Sequence, residues 1–182
     1  MVNIYKLKLT ILQQEILRLL FIKAGTSLNA NRIARTLDVS QPAVSKALPI
    51  LEKEGLIQVI KDKISKRLSI ELNRDNSHAI WLKRADNLKQ IYESGLARFL
   101  YDSFPGATAI LFGSYAFGED TSSSDFDLAV IGAKERRIDL EKFEKMLERK
   151  IIINYYKTFN DIDKHLLSNL ANGILLKGAV DL

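Results

Sequence analysis

The 182-residue sequence predicts an α/β protein of the α+β kind, with two domains joined by a helix. The first observation is a series of helical patterns that ends in two short alternating stretches around a charged turn. The second is an apolar run, Thr108–Phe112, that stops at a Gly-Ser pair and precedes another strand pattern over 125–131. The third is a short polar stretch over 74–77 between these two patterns. The predicted parts are a first domain at 1–77, a connecting helix at 78–94 and a second domain at 95–182.

The composition, with 47% hydrophobic and 27% charged residues, is typical of a water-soluble globular protein. Cysteine is absent, which excludes a disulfide framework and any thiolate metal site, and a reducing cytoplasm is the expected location. The first twenty residues interrupt their apolar positions with Lys, Gln, Glu and Arg, so neither a signal peptide nor a membrane span is predicted. We therefore expect a cytoplasmic protein without a membrane partner.

The basic charge of the chain is concentrated in the first domain. Up to Ser77 there are 13 Lys and Arg against 7 Asp and Glu, whereas the remainder has 14 against 15. The two parts therefore carry +6 and −1. This asymmetry favours an anionic partner for the first domain.

Three helices and a hairpin are predicted in the first domain. Apolar residues recur at helical spacing over 10–23, Asn29 can cap a second helix, and Ser40 can cap a third. The stretches 56–62 and 67–73 alternate apolar and polar residues, which is typical of a half-buried β-hairpin.

The stretch SQPAVSKALPILEKEGLIQVI, preceded by a short helix and a tight turn, resembles the winged helix-turn-helix of prokaryotic MarR- and ArsR-type transcription regulators. The resemblance implies double-stranded DNA as the partner, with the third helix in the major groove and the hairpin as a wing on the phosphate backbone. Val44, Leu48 and Leu51 share the inward face, so the polar face is left for DNA. The predicted DNA-binding residues are Gln41, Ser45 and Lys46 on the helix, and Lys61, Lys63, Lys66 and Arg67 on the wing.

A Gly-Ser turn and two aspartates dominate the second domain. Asp125 and Asp127 lie two residues apart on a predicted strand, so their side chains project from the same face. Two neighbouring carboxylates repel each other unless a cation lies between them, and Mg²⁺ prefers oxygen ligands while keeping positions open for phosphates. A helix that starts at Tyr115 would direct the backbone N–H groups around Gly113 and Ser114 toward a phosphate. The pattern therefore predicts a site for Mg²⁺ and a polyphosphate.

The segment GSYAFG, followed closely by SDFDL, resembles the minimal nucleotidyltransferase signature of the DNA polymerase beta superfamily, and the resemblance extends over 94–182. The resemblance implies a small mixed sheet flanked by helices. It also implies that the domain transfers a nucleoside monophosphate from ATP or another nucleoside triphosphate to a hydroxyl, with Mg²⁺ as cofactor. By this resemblance, Asp125 and Asp127 are the catalytic and metal-binding residues. The nucleotide-binding residues would be Gly113, Ser114 and Ser124.

Two departures from the family pattern concern catalysis. Active members usually carry a third carboxylate on the next strand, but the expected strand, KIIINYY over 150–156, contains no Asp or Glu. Asn154 is predicted at that position, and a neutral amide binds a hard cation less strongly and is not a base near pH 7. Phe117 also stands where an arginine is common. The sequence thus leaves open whether the domain is an enzyme.

Three functions follow from these residues. The first is a DNA-binding transcription regulator whose second domain binds a nucleotide with Mg²⁺ and is catalytically weak or inactive. The alternative is an active nucleotidyltransferase that modifies a hydroxyl of a toxin-like partner protein or of a small molecule. A degenerate domain kept only for contacts is the third.

The connecting helix carries an apolar stripe formed by Trp81, Ala85, Leu88 and Tyr92 at spacings of four, three and four. This stripe predicts either a self-association seam in a homodimer or packing of the helix on one of the domains.

Overall fold

The computed structural model describes residues 8–61 and 68–180. The protein belongs to the predicted α+β class, and the chain divides into two compact units, Met1–Ala79 and Ile80–Leu182. Most of the predicted connecting segment, 78–94, therefore groups with the second unit. None of the helices in the described ranges is both long and apolar enough to cross a membrane.

The first unit contains three helices followed by a hairpin. Its elements are α1 (Ile11–Ile22), α2 (Ala30–Thr36), α3 (Gln41–Lys53), β1 (Ile57–Lys61) and β2 (Leu68–Leu72). The predicted caps are confirmed, since the Asn29 side chain accepts a hydrogen bond from the N–H of Arg32 and the Ser40 side chain accepts one from Ala43. The two strands pair antiparallel, as the hairpin pattern predicts.

The core of the first unit fixes the orientation of α3. Val44, Leu48 and Leu51 are buried, as predicted from their shared helix face. Leu28 and Ile70 exchange backbone hydrogen bonds of 2.9 and 2.7 Å, which ties the segment before α2 to the hairpin. The polar face of α3 is therefore left exposed.

The rest of the chain consists of five helices, a 3-10 turn at Phe159–Asp161 and four strands among the described residues. The elements are α4 (Ser77–Glu93), α5 (Leu96–Ser103), β3 (Thr108–Phe112), α6 (Gly113–Phe117), β4 (Phe126–Ile131), α7 (Glu141–Leu147), β5 (Ile151–Tyr156), α8 (Lys164–Ala171) and β6 (Ile174–Lys177). The strand order is β5-β4-β3-β6, with β4 and β5 parallel and the other two pairs antiparallel. The predicted mixed sheet flanked by helices is confirmed.

The sheet lies between two apolar layers, and this arrangement decides which residues share a face. Phe126, Leu128 and Val130 of β4 pack into one cluster, whereas Ala129 and Ile131 pack into the other. By the alternation of a strand, Asp127 lies on the face of the second cluster. Because β3 and β4 are antiparallel, the end of β3 meets the start of β4, where the Gly-Ser turn and the aspartates lie.

Candidate functional site

The Gly-Ser turn and the second aspartate lie side by side. Gly113 begins α6, two residues earlier than predicted, and has a φ of +72°. A Cβ added to Gly113 would lie 2.7 Å from Oδ2 of Asp127. Only glycine combines this backbone conformation with so close an approach of a carboxylate. Residues fourteen positions apart in sequence are thus brought into one site.

The two aspartates are free of partners within the described ranges. Asp125 is exposed just before β4 and Asp127 is half-buried on it, and neither carboxylate accepts a hydrogen bond or ion pair from a described residue. Burial, followed by the charge of neighbouring Asp125, raises the pKa of Asp127 above its ordinary value. A bound cation would relieve both effects, since it supplies the opposite charge.

The donor set fits a single divalent ion with few protein ligands. Among the described residues, no group of three or more His, Cys, Asp or Glu side chains converges to hold a metal. Mg²⁺ is commonly bound through one or two carboxylates, with water and substrate phosphates completing its octahedral shell. Asp125 and Asp127 would therefore hold the ion, which would neutralise charge on a phosphate group.

The neighbouring strand places an apolar residue next to the aspartates. In the β4–β5 register, Ile152 pairs with Asp127, and Asn154 pairs with Ala129. The Asn154 amide donates to the carbonyl oxygen of Leu128 at 3.4 Å. The β5 residue beside Asp127 is thus Ile152 and not Asn154. Packing of β4 and β5 in the core fixes the register between the two strands, which the spacing of residues in the sequence leaves open.

The two predicted serines differ in their surroundings. The Ser114 hydroxyl is half-buried in α6 and makes no hydrogen bond with a described residue, so it can still bind a ligand. The Ser124 hydroxyl accepts from the N–H of Thr121 at 2.9 Å and closes the loop before β4. Ser124 therefore shapes the loop that delivers Asp125.

A buried polar cluster supports this loop and was missed in the sequence. Asp120 accepts from Lys83, from Asn87 at 2.8 Å and from Arg149 at 3.0 Å, and all four residues are at most 5% exposed. The Asn87 amide also donates to the Tyr115 carbonyl at 3.0 Å, which joins α4 to α6. The sequence signal was the placement of Lys83 and Asn87 four residues apart on the same helix face as Ile91.

The apolar stripe of α4 lies largely on the opposite, outer face. Trp81 is 64% and Tyr92 is 55% exposed, and Ala85 is exposed as well, while Leu88 packs partly on the core. Packing on the second unit therefore uses the face with Ile91. Self-association through the stripe stays a prediction.

The predicted DNA-binding residues on the helix form one exposed face. Gln41, Ser45 and Lys46 are all exposed on α3, and Lys61 is exposed at the end of β1. The other three predicted wing residues, Lys63, Lys66 and Arg67, lie outside the described residues.

An open groove of about 830 Å³ next to this face adds two cations. Arg32 and Arg35 of α2 line it together with Gln41, Ser45 and Leu68. Both arginines are exposed and lie three residues apart, so they project from the same side of α2. The helical pattern of α2 alone did not indicate a role for these two arginines, because exposed cations on a helix are common.

The raised pKa of Asp127 predicts a pH-dependent stability. An acid whose pKa is higher in the folded state stabilises the fold when protonated, and this contribution is lost as the pH rises above the ordinary value near 3.8. In EDTA, the melting temperature of Asp127→Asn should therefore be higher than that of the wild type at pH 7, and the difference should shrink toward pH 4.

Magnesium at ten times its Kd should stabilise the wild type by about 1.4 kcal/mol and leave the stability of the Asp127→Asn variant unchanged. Thermal melts from pH 4 to 8 measure both effects, and an equal magnesium response in the two proteins would contradict the site.

Two family models match separate parts of the chain. The model of the MarR family matches residues 9–69, and a nucleotidyltransferase domain model matches residues 93–175. The first match spans α1 to the start of β2, and the second contains Gly113, Asp125 and Asp127. A comparison with curated proteins gives no match.

Several solved structures are similar to part of the chain. The adhesin competence repressor AdcR of Streptococcus pyogenes is 26% identical over 53% of this chain and 69% of its own, with a TM-score of 0.41. Lactococcus lactis ZitR is 23% identical over 58% and 68%, with a TM-score of 0.42. MepR of S. aureus, in a complex with DNA, is 27% identical over 52% and 81%, with a TM-score of 0.38. It is the two family models that identify a MarR-type winged-helix domain at residues 9–69 and a nucleotidyltransferase domain at residues 93–175.

Proposed function

We propose that this protein is a DNA-binding transcription regulator whose nucleotidyltransferase domain binds a nucleoside triphosphate with Mg²⁺ and transfers the nucleoside monophosphate to a hydroxyl, with release of pyrophosphate, only weakly or not at all. One observation carries the proposal. The partner-free pair Asp125 and Asp127 adjoins Gly113, while the neighbouring strand offers Ile152 beside Asp127. Two carboxylates beside a glycine turn support binding of a metal-bound triphosphate, and the absence of a carboxylate from β5 supports weak catalysis.

The binding roles follow from chemistry and position. Asp125 and Asp127 would hold Mg²⁺, which supplies charge neutralisation for the triphosphate of ATP or another nucleotide. Gly113 permits close approach of a phosphate to the backbone, and the Ser114 hydroxyl can donate to it. Ser124 contributes by keeping the loop in place.

The winged helix would bind duplex DNA through its basic, polar face. Gln41, Ser45 and Lys46 would contact the major groove, and Arg32 and Arg35 the adjacent phosphates. The wing would add Lys61, Lys63, Lys66 and Arg67. A homodimer would place two such faces on two half-sites. The nucleotide regulates this binding only to the extent that its affinities for the DNA-bound and free forms differ.

An active transferase is the second candidate. The intact aspartate pair and the family match over residues 93–175 favour it. Its acceptor would be a hydroxyl of a partner protein or of a small molecule. The missing third carboxylate argues for slow chemistry, since Asn154 is not a base near pH 7 and lies two residues beyond Ile152 along β5.

The deciding experiment uses the full chain, Mg²⁺ and ATP labelled on the α-phosphate. Filter binding measures complex formation, and gel and thin-layer separation detect transferred label. We expect magnesium-dependent binding without transfer, and loss of binding in Asp125→Asn/Asp127→Asn. Asp102→Asn, a change at an exposed carboxylate on α5, serves as the control and should bind like the wild type.

Two other outcomes would overturn the proposal in different ways. Transfer of label by the wild type, but not by the double variant, would establish the active transferase. If none of the four ribonucleoside triphosphates binds, the nucleotide role is refuted and the winged helix carries the function alone.

A further inference from the structure

The register of β4 and β5 brings a lysine next to the aspartate pair. The backbone N–H of Phe126 donates to the carbonyl of Lys150 at 2.8 Å, and Phe126 pairs with Ile151. Phe126 and Ile151 are both buried in the same cluster. Asp125 and Lys150 directly precede the two strands, so we infer from the alternation of side chains that they belong to the opposite face of the sheet. That is the face of Asp127.

The backbone on both sides of Lys150 is held firmly. The guanidinium of Arg149 is 3.0 Å from the buried carboxylate of Asp120. The N–H of Ile151 donates to Oε1 of Glu144 at 2.9 Å. The backbone of Lys150 is thus held in a defined position, which is a requirement for a residue that binds a ligand.

The ammonium of Lys150 takes no part in the polar contacts among the described residues. Lys150 is exposed, and its ammonium makes no ion pair or hydrogen bond with a described residue. In contrast, Arg149 beside it is 5% exposed and donates to the buried carboxylate of Asp120. The ammonium is therefore available to an external anion.

The charges on this face select the kind of anion. Two carboxylates and one ammonium leave a net charge of −1, so a simple anion is repelled. A divalent cation on Asp125 and Asp127 reverses the sign and leaves two positive centres that a chain of phosphates can bridge. An ammonium acts on such a chain as a compact point charge with three donors.

We propose that Lys150, the residue directly before β5, is a phosphate-binding residue of this site and contacts the triphosphate of a metal-bound nucleoside triphosphate. The assignment rests on the proposed nucleotide binding and adds a specific ligand group to it. It also predicts effects of opposite sign, because the same ammonium attracts phosphate and repels a cation on the aspartates.

The test compares the wild type with Lys150→Ala and Lys150→Arg by calorimetry. Each protein is titrated with Mn²⁺ alone, with Mg²⁺ and ATP, and with Mg²⁺ and inorganic tripolyphosphate. We expect Lys150→Ala to weaken both polyphosphate ligands by about tenfold, and Lys150→Arg to retain most of the affinity. The affinity of Lys150→Ala for Mn²⁺ alone should increase, because the repulsion between the ammonium and the cation is removed. Lys157→Ala, which removes an exposed lysine just beyond the other end of β5, is the matched control and should leave all three titrations unchanged.

The outcomes separate this assignment from the proposed function. If the wild type binds Mg²⁺ and ATP and Lys150→Ala binds them equally well, the role of Lys150 is wrong and the nucleotide site stands. If Lys150→Ala weakens ATP and Mn²⁺ to the same degree, the lysine acts on the fold of the site and the contact with phosphate is refuted. If the wild type binds neither polyphosphate, both the nucleotide function and the assignment fail.

Discussion

Replacing Asp120 with alanine is expected to destabilise the second unit by about 3–5 kcal/mol. The carboxylate accepts from Lys83 and Arg149, whose side chains are 0% and 3% exposed. Its removal deprives two buried cations of the carboxylate that they share, so the cost of desolvating them is offset to a smaller degree. Urea unfolding followed by circular dichroism would measure the loss as a lower midpoint at a similar slope.

A surface ion pair of the same unit provides the matched control. Arg98 and Asp102 lie 2.9 Å apart on α5, with side chains 81% and 57% exposed. Asp102→Ala should change the free energy of unfolding by no more than about 0.5 kcal/mol, because solvent screens such a pair. If Asp120→Ala lowered the free energy of unfolding by no more than Asp102→Ala does, the buried cluster would not stabilise the fold more than a surface ion pair.

The double variant Arg32→Ala/Arg35→Ala is expected to weaken binding to duplex DNA by about one to two orders of magnitude at low salt. Both arginines line the groove beside α3, where they can contact phosphates. Each lost phosphate contact should reduce the slope of log K against log salt by about 0.9, so the expected decrease is about 1.8. Fluorescence anisotropy with a labelled 30-base-pair duplex suits this measurement, since the electrostatic contribution does not depend on sequence.

Arg98→Ala removes an equally exposed arginine from the second unit and should leave the salt slope unchanged. A slope in Arg32→Ala/Arg35→Ala equal to that of the wild type would contradict a contact between α2 and DNA. Equal losses of DNA affinity in Arg98→Ala and in Arg32→Ala/Arg35→Ala would indicate a general effect of net charge.

The features predicted correctly from sequence depend on short-range chemistry. Asn29 and Ser40 cap helices through N–H groups three residues away, so the sequence contains both partners of each hydrogen bond. The alternation of side chains along a strand predicted that Phe126, Leu128 and Val130 pack into the core, and the Gly-Ser pair predicted the turn at Gly113. Local rules of this kind were sufficient for the helices and strands, whereas the binding roles of Asp125, Asp127 and Gly113 stay predictions.

The missed features depend on pairs that are distant in sequence. Asp120 meets Lys83 and Arg149, which are 37 and 29 residues away, and no local pattern links them. The same applies to the strand register, where a shift of two residues decides whether Ile152 or Asn154 adjoins Asp127. Tertiary packing sets both, and sequence spacing carries only weak information about it.

The buried cluster also determines at which residues the chain can be truncated or fused to another domain. A fragment that begins at residue 95 would keep Asp120 and Arg149 but lose Lys83, together with Asn87, whose amide donates to the Tyr115 carbonyl behind the Gly-Ser turn. A fragment that contains the intact nucleotidyltransferase domain must therefore include the part of α4 that carries Lys83 and Asn87. The boundary of the second compact unit, at Ile80, meets this requirement. A junction with a different N-terminal domain would preserve the cluster only if it lay before Lys83 on α4.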